Sequence, residues 1–393
     1  MEHLDTKAEL GKYQRIALVV GVLGAAATGY GYVASHDTFY TSYLMAFTYW
    51  LGLAGGSLAL LCIHHLVAGK WGFCIQRPLE AAAKTVPLMA LFFIPIILGM
   101  HELFEWTHEE AKHDHVLQQK ALYLNEQGFL IRAGVFFVIW TLLAYTLSKW
   151  SNQQDKESDP ARVNERIRTL SGPGLVAFVL TMSFAAIDWG MSLTPHWFST
   201  MYGPMFMIGQ GLTTFSFMAI IAWRLSHHKP LHHVITHQQF HDIGNLMFAF
   251  TVLITYMGVG EFIIIWSGNL PEETEWFLHR AHGGWKNVAI ALFICQFVIP
   301  FFLLLNKPLK RHGNILSKIA LWILAVRYLS VFWMVAPTFR DHVFVHWTDL
   351  AAWAGMGGLW IAAFLGLLKS KPLLPEGDPR FKAKMAEHVA GHP

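Results

Sequence analysis

Cysteine is scarce in this 393-residue sequence. The three cysteines, Cys62, Cys74 and Cys295, lie far apart, and no CxxC or CxxCH motif is present. An iron–sulfur cluster needs several clustered thiolates, and covalent attachment of a c-type haem needs CxxCH. We therefore expect that the chain binds neither group by itself and that it has no disulfide framework.

Charged residues are also few. Asp, Glu, Lys and Arg make up 14% of the chain and hydrophobic residues 54%, whereas soluble domains contain about 25% charged residues. This composition predicts lipid as the main solvent. No P-loop is present, and no GxGxxG motif opens a helix after a strand, so no soluble catalytic domain is expected. Lipid, and not nucleic acid, is the expected partner besides other subunits. The polar N-terminus precedes an apolar run that we interpret as a retained anchor helix.

Long apolar runs predict ten membrane-spanning helices, since about 20 apolar residues cross a bilayer. Pro and Gly residues separate these runs. The expected fold is therefore an all-α integral membrane protein. The ten predicted spans cover residues 14–34, 42–67, 79–104, 129–150, 173–194, 199–225, 243–267, 285–306, 316–336 and 349–368.

The distribution of Lys and Arg predicts the orientation of these spans. Twenty-one of them lie on the N-terminal side, three lie within spans, and five lie on the opposite side: Lys112, Lys120, Arg280, Lys286 and Arg340. The positive-inside rule then places both termini in the cytoplasm. Residues 39–61 and 198–220 match at seven of 23 positions, which agrees with a tandem repeat. We expect an N-terminal segment with the first helix (1–38), two four-helix bundles (39–195 and 196–340), and a last helix with a cytoplasmic tail (341–393).

Two acids and two arginines fall at membrane depth. Asp188 is about 22 Å and Glu261 about 27 Å from the cytoplasmic ends of their spans, at 1.5 Å per helical residue. Arg132 and Arg327 are their expected charge partners, because an unpaired ion in hydrocarbon is very unfavourable. His101 and Glu102 end predicted span 3 on the outer side.

A second group of ionisable residues lies near the cytoplasmic side. Glu80 and Lys84 share a helix face at i, i+4, and His64, His241 and Asp242 lie close to span ends. Carboxylates and histidines are suited to proton transfer because burial and neighbours move their pKa values into the working range. The two groups together predict a proton pathway approached from both faces.

Each of these residues also has a purely structural interpretation. Asp188 and Glu261 would also be suited to ion pairs that only fix helix packing. Glu80 and Lys84 would also be suited to an ordinary salt bridge near the headgroups. His64 and the adjacent His65 point about 100° apart on a helix, so at least one is expected to be merely interfacial. The Trp-rich span ends are interpreted as interfacial belts. No span has two histidines at the spacing of a dihaem helix, so no haem and no metal are expected.

Several segments carry a resemblance to a known family: YLMAFTYWLGLAGGSLALLCIHHLVAGKWG, LTMSFAAIDWGMSLTPHWFSTMYG, FIIIWSGNLPEETEWFLHR with GGWKNVA, and KPLLPEGDPR. The sequence resembles, nearly end to end, the F subunit of alternative complex III, a bacterial quinol oxidoreductase. That subunit is a ten-helix membrane protein related to the polysulfide-reductase-type (NrfD-like) family.

The resemblance implies a multi-pass subunit in the bacterial plasma membrane without a prosthetic group of its own. Quinone or menaquinone, iron–sulfur clusters and c-type haems would belong to partners: an NrfD-like paralogous membrane subunit, an iron–sulfur subunit and c-type cytochrome subunits. The complex would serve respiration or photosynthesis. The F subunit is proposed to conduct protons, which would give Asp188 and Glu261 a role in the outer part of the route.

Three alternatives remain open at this stage. The chain is a scaffold whose buried ions only fix helix packing, or a second quinone-binding subunit with Trp189, Trp197 and Tyr202 lining the pocket. A secondary transporter is the third, although paired Gly/Pro-broken helices in corresponding halves are missing.

Overall fold

The computed structural model describes residues 2–228 and 231–383, and these residues form helices and loops without strands. Ten helical segments are long and apolar enough to cross a membrane, which confirms the predicted number. Spans 1 to 10 are Thr6–Ala34, His36–Val67, Gln76–Leu98, Glu126–Gln154, Pro160–Leu193, Tyr202–Leu225, His237–Gly268, Trp285–Leu305, Gly313–Thr338 and Trp347–Lys369. The last ten residues of the predicted cytoplasmic tail lie outside the described residues.

Several helices begin earlier than their apolar runs. The first helix covers Glu2–Ala34, so the polar N-terminal segment continues the same helix that becomes span 1. The fifth begins at Pro160, where Asp159 caps the first turn through the backbone N–H of Arg162. Hydropathy marks only the part that needs lipid, whereas capping residues mark the true helix start.

Predicted span 3 is not one continuous helix. It is divided into Gln76–Ala83, Val86–Phe92 and Ile94–Leu98, and the separate helix Met100–Leu103 follows. Pro87 and Pro95 each remove one backbone donor and crowd the preceding turn, which interrupts the ladder of hydrogen bonds. His101 and Glu102 therefore lie beyond the span, in the short helix.

Shorter helices connect the spans. They comprise Lys70–Phe73, Glu105–Thr107, Glu109–His113, His115–Lys120, Leu231–His233, Pro271–His279 and Lys307–Arg311. We call the end of the bundle with residues 99–125, 269–284 and 339–346 the loop end. The opposite end, where residues 370–381 lie, is the tail end.

Span 2 is the centre of the molecule and span 8 its margin. In the most apolar stretch of span 2, 83% of the residues are buried, whereas in that of span 8 only 17% are buried. Span 2 packs against spans 3, 5, 6, 9 and 10, whereas span 8 packs mainly against spans 7 and 9. Large apolar side chains exposed on spans 1, 4, 5, 7 and 8 are the surface that hydrocarbon would cover.

Span 1 is held against span 10 by a close backbone contact. A Cβ added to Gly24 would lie 2.5 Å from the Cα of Gly355, and one added to Gly21 would lie 2.5 Å from the backbone N of Leu359. Small residues permit such close approach between helices in lipid, where dispersion forces drive association. The first and last spans therefore form a tight pair.

Candidate functional site

Asp188 lies in the last turn of helix Pro160–Trp189 and is fully buried. A carboxylate at a helix C-terminus is unfavourable, because the helix dipole is negative there. Arg132, near the start of span 4, offsets this charge with two bonds: Nε donates to Oδ2 at 2.8 Å and Nη2 to Oδ1 at 3.0 Å. The guanidinium also lies 4.0 Å from the centre of the Tyr123 ring and donates to the Tyr123 carbonyl. Asp188 and Arg132 thus form a closed bidentate pair between spans 4 and 5.

A second closed pair joins Asp349, at the start of span 10, to Arg340. The two guanidinium–carboxylate distances are 2.8 and 2.9 Å, and both side chains are buried. Ser42 donates to the same carboxylate at 2.6 Å, and the backbone N–H of His346 at 2.9 Å. Sequence reasoning counted Arg340 only as a loop cation, because a partner nine residues away gives no periodic signal.

The third cluster surrounds Glu80 at the tail end. Arg77 donates to its Oε2 at 2.9 Å, Ser151 to its Oε1 at 2.6 Å, and Lys371 lies 3.2 Å from Oε2. Arg77 also bridges to Asp155. This network connects spans 3 and 4 with the segment after span 10, and every charge in it has a counter-charge.

The expected Glu80–Lys84 bridge is absent from this cluster. Lys84 lies just past the end of helix Gln76–Ala83, and its ammonium is 5.1 Å from the centre of the Tyr145 ring. The carboxylate of Glu80 instead pairs with Arg77, one turn earlier in the helix, and with Lys371. The i, i+4 rule failed because the helix ends before Lys84 and because long-range partners compete for the carboxylate. The burial of Lys371 in this cluster lowers the pKa of its ammonium.

His64 and His65 are both buried, so the expectation that one of them is merely interfacial is wrong. His64 Nε2 lies 3.3 Å from Gln76 Oε1, at the edge of the Glu80 cluster. Arg380 reaches back to the carbonyl of His65 at 2.9 Å. His64 is packed against the rings of Trp71 and Phe73, just after span 2, while the segment 370–381 reaches His65 through Arg380.

The remaining predicted residues lie at the two ends and do not meet. His101 and Glu102 are exposed at the loop end, and His101 lies 3.7 Å from Glu126. His241 and Asp242 are partly exposed at the tail end, with 3.8 Å between Nδ1 and Oδ1. The structure thus places the predicted residues in several separate groups.

A cavity of about 660 Å³ lies between spans 6, 7, 8 and 9 at the loop end. Its size falls within the range of pockets that bind small molecules, roughly 300–1,000 Å³. Most of its wall is apolar and aromatic. Four charged residues line it: Glu261, Arg280, Lys286 and Arg327.

Glu261 is the carboxylate of this cavity. Its residue is 9% exposed, and its Oε1 accepts a hydrogen bond from Ser199. Within the part of the chain that the structure describes, no Lys, Arg or His nitrogen lies within 4.0 Å of it in an ion pair. Arg327, the partner expected from the sequence, instead donates to Gln296 at 3.1 Å and to Ser330 at 3.0 Å. The second expected ion pair is therefore not formed.

Arg280 is the cavity residue that sequence reasoning missed as a buried group. It is 3% exposed, and its guanidinium lies 3.5 Å from the centre of the Trp276 ring. It donates to two carbonyls, of Trp276 at 3.2 Å and of Met334 at 2.9 Å. Burial lowers the pKa of Arg280 to about 9, since no carboxylate offsets the loss of water. The signal available in the sequence was its position after the aromatic run of helix Pro271–His279.

Span 8 changes its winding where it lines the cavity. Residues Phe293–Val298 form a π-helical segment that contains Gln296. Pro300 has no N–H with which to bond the carbonyl of Gln296, which disfavours the regular α-helical ladder at this point. π-helical segments often occur at functional sites, and this one presents Gln296 to Arg327.

The three aromatic residues expected around a quinone divide between two environments. Trp197 and Tyr202 line the cavity, and the Trp197 ring is stacked on Trp276 at 4.8 Å. Trp189 lies instead in a packed aromatic core, with its ring 4.7 Å from Phe93 and 5.6 Å from Phe137. Across residues 2–228 and 231–383, no group of three or more His, Cys, Asp and Glu is arranged to hold a metal ion.

The chain matches no model of a known protein family and no curated protein sequence.

Proposed function

We propose that this chain is an integral membrane subunit of a quinol-oxidising electron-transfer complex of the alternative complex III type, in the bacterial plasma membrane. Support comes from the ten spans and from the sequence segments that resemble the F subunit. In this proposal the redox groups belong to partner subunits, namely an iron–sulfur protein, c-type cytochromes and a paralogous NrfD-like membrane protein. The chain would be a non-catalytic or accessory subunit of that oxidoreductase.

The proposal includes a finer architecture. Spans 2–5 and spans 6–9 would form two four-helix bundles, with spans 1 and 10 as a flanking pair. Contacts of span 5 with spans 2 and 4, and of span 6 with spans 7 and 9, agree with this grouping. The Lys and Arg bias would place both termini, and hence the tail end, in the cytoplasm.

The role proposed for the chain is to carry protons. The observation that supports this role is the position of Glu261, a buried carboxylate that lines the cavity. Glu261 is about 10 Å from the loop end of span 7, counted over seven helical residues, and it lines a cavity that Lys286 and Arg280 also line. A carboxylate without a cationic partner can gain and lose a proton without breaking an ion pair. Gln296 and Arg327 continue the polar path to about 16 Å, eleven residues from the same end.

Asp188 fits this route less well. Its carboxylate is held by two guanidinium bonds, and protonation would break a buried pair at a cost of several kcal/mol. In the proposed route Glu261 exchanges protons with the outer face, Arg327 lies at the inner end of the cavity, and His241 and Asp242 serve the cytoplasmic end. His64, Glu80 and Lys84 contribute to that end only through packing.

The experiment is a pair of substitutions in the assembled complex, Glu261→Gln and Asp188→Asn. Quinol oxidation and proton release are measured separately in the same membranes. We expect Glu261→Gln to lower proton release per electron by at least half, while electron transfer persists. Unchanged proton release in Glu261→Gln would remove the proton route from the proposal.

A scaffold role is the second candidate, and the closed pairs favour it. Arg132–Asp188 connects spans 4 and 5, Arg340–Asp349 connects the loop after span 9 to span 10, and the Glu80 cluster connects spans 3 and 4 with the segment after span 10. Every charge in these groups has a partner. In a pure scaffold, Glu261→Gln would leave both electron transfer and proton release unchanged, and Asp188→Asn would lower only stability or assembly.

A further inference from the structure

Positive charge exceeds negative charge around the loop-end cavity. Three cations line it, Arg280, Lys286 and Arg327, against the single carboxylate of Glu261. Arg280 and Arg327 are 3% and 6% exposed. A buried cation is stable only where an anion or hydrogen-bond acceptors replace the water that it loses. The acceptors present are mostly carbonyls and an amide, which do not neutralise a charge.

Both arginines also retain hydrogen-bonding capacity. The Nε atoms of Arg280 and Arg327 are buried and have no hydrogen-bond partner in the structure. A guanidinium presents five donors in a planar fork that matches the oxygens of a phosphate or a carboxylate. The cavity thus provides donors and positive charge for an anionic group.

The lateral side of the cavity is apolar. Val259 and Phe262 lie three residues apart on one face of span 7, and Ile290 and Phe293 lie likewise on span 8. All four line the cavity and are 40–50% exposed. Span 8 contacts span 7 mainly through residues 293–305, while helix Trp285–Leu292 packs mainly on span 9. The two spans therefore diverge towards the loop end and leave a mouth that faces hydrocarbon.

Charge and apolar surface lie at the depths that an amphiphile needs. Arg280 donates a hydrogen bond to the carbonyl of Met334, which lies four residues, or about 6 Å, from the loop end of span 9. Lys286 is the second residue of span 8. A headgroup at this level would lie near the membrane surface. A hydrocarbon chain would then extend inwards between spans 7 and 8.

We infer that this cavity binds an anionic lipid, with its phosphate or carboxylate group held by Arg280 and Lys286 and its hydrocarbon chain seated between spans 7 and 8. The lipid supplies the counter-charge that the chain itself does not provide. A guanidinium and an ammonium at the mouth of an apolar cleft are suited to such a headgroup, because phosphate and carboxylate oxygens accept charge-assisted hydrogen bonds from both. The inference concerns binding alone and is independent of proton transfer by Glu261.

The test measures lipid retention by the purified full-length chain. The protein is delipidated in detergent and incubated with dioleoylphosphatidylglycerol, dioleoylphosphatidylcholine or oleate, and retained molecules are counted by native mass spectrometry. We expect at least tenfold tighter retention of phosphatidylglycerol than of phosphatidylcholine. Competition by oleate would identify a carboxylate lipid as an equal source of the anion, which still supports the inference.

Variants assign the binding to this cavity. Lys286→Gln and Arg280→Gln should each weaken retention of phosphatidylglycerol about tenfold, whereas Lys318→Gln, an exposed lysine at the tail end, should leave it unchanged. Val259→Trp fills the mouth of the cavity without changing its charge. It should weaken retention of phosphatidylglycerol as much as the two charge substitutions do. Lys286→Gln and Val259→Trp keep the test decisive if Arg280→Gln does not fold.

Two results would overturn the inference. One is equal retention of the two phospholipids, or retention that neither Lys286→Gln nor Val259→Trp changes. The other is displacement of the bound lipid by millimolar inorganic phosphate alone, which would show a site for a free anion.

Discussion

Spans 4 and 5 meet through a buried polar contact, and so do spans 8 and 9, but the two contacts differ in charge. The first joins Arg132 to Asp188, an ion pair with two short bonds. The second joins Arg327 to Gln296, a cation and a neutral amide. The first contact is saturated and connects two helices. The second leaves a cation without a counter-charge beside a cavity, where it remains available to an anionic ligand.

The largest expected effect follows from breaking the saturated contact. Asp188→Asn leaves Arg132 without its counter-ion, and we expect the free energy of unfolding in mixed micelles to fall by about 3 kcal/mol. Arg132→Gln added to Asp188→Asn should cost less than the sum of the two single changes, because the single change leaves an unpaired ion. Arg166→Gln, at an exposed arginine, is the control and should change stability by less than about 0.5 kcal/mol.

Glu261→Gln sharpens the same comparison. Since no ion pair is lost, we expect the free energy of unfolding to change by less than about 1 kcal/mol. A cost equal to that of Asp188→Asn would mean that the two carboxylates are equivalent, and the contrast drawn here would be wrong.

In the Glu80 cluster we expect an effect somewhat smaller than that of Asp188→Asn and larger than that of Glu261→Gln. Glu80→Gln removes the charge shared by Arg77 and Lys371, and we expect a loss of about 2–3 kcal/mol, lowered because Lys371 is partly exposed. Lys84→Gln should cost less than about 0.5 kcal/mol, since Lys84 takes no part in the cluster. Thermal unfolding of both variants in the same detergent compares them directly. A larger effect of Lys84→Gln would restore the helical pair predicted from the sequence.

Gly209→Ala tests the unsaturated contact without changing charge. A Cβ at this position would collide with the guanidinium of Arg327, and overpacking of this kind costs about 1–3 kcal/mol. Gly260→Ala, where nothing lies within 4 Å of the added Cβ, is the matched control. Thermal unfolding should separate the two. Equal stability of the two variants would show that Arg327 moves freely.

The smallest effect is expected at an exposed pair of the loop end. Asp114 accepts from the backbone N–H of Val116 and lies 2.7 Å from His196. These bonds hold the pKa of Asp114 below its ordinary value of 3.8. The stabilisation is therefore full above that value and is lost as pH falls through the lower folded pKa. Wild type and Asp114→Asn should differ slightly in melting temperature at pH 7, and the difference should shrink as pH falls below 3.8, whereas a difference that stays constant on acidification would contradict this assignment.

The sequence was sufficient for the number of spans, because lipid requires a run of apolar residues that few other structures need. It was insufficient for helix ends and breaks. Pro87 and Pro95 could have been used to divide span 3, while the start of span 5 at Pro160 is set by the Asp159 cap and not by hydropathy.

The ion partners show a similar division. Arg132 was an expected partner of an acid because both lie at membrane depth on the same side. Arg77, Lys371 and Arg340 were missed, since they lie near span ends where a solvated cation is the ordinary expectation. The cavity could not be predicted at all, because it depends on how far spans 7 and 8 diverge.

The segment after span 10 closes the Glu80 cluster, through Lys371 to Glu80 and through the backbone N–H of Gly377 to Asp155. During synthesis these residues leave the ribosome only after all ten spans. Until then Arg77 alone neutralises the two carboxylates of Glu80 and Asp155. Full charge balance in this cluster is therefore reached late in synthesis, once Lys371 has joined it.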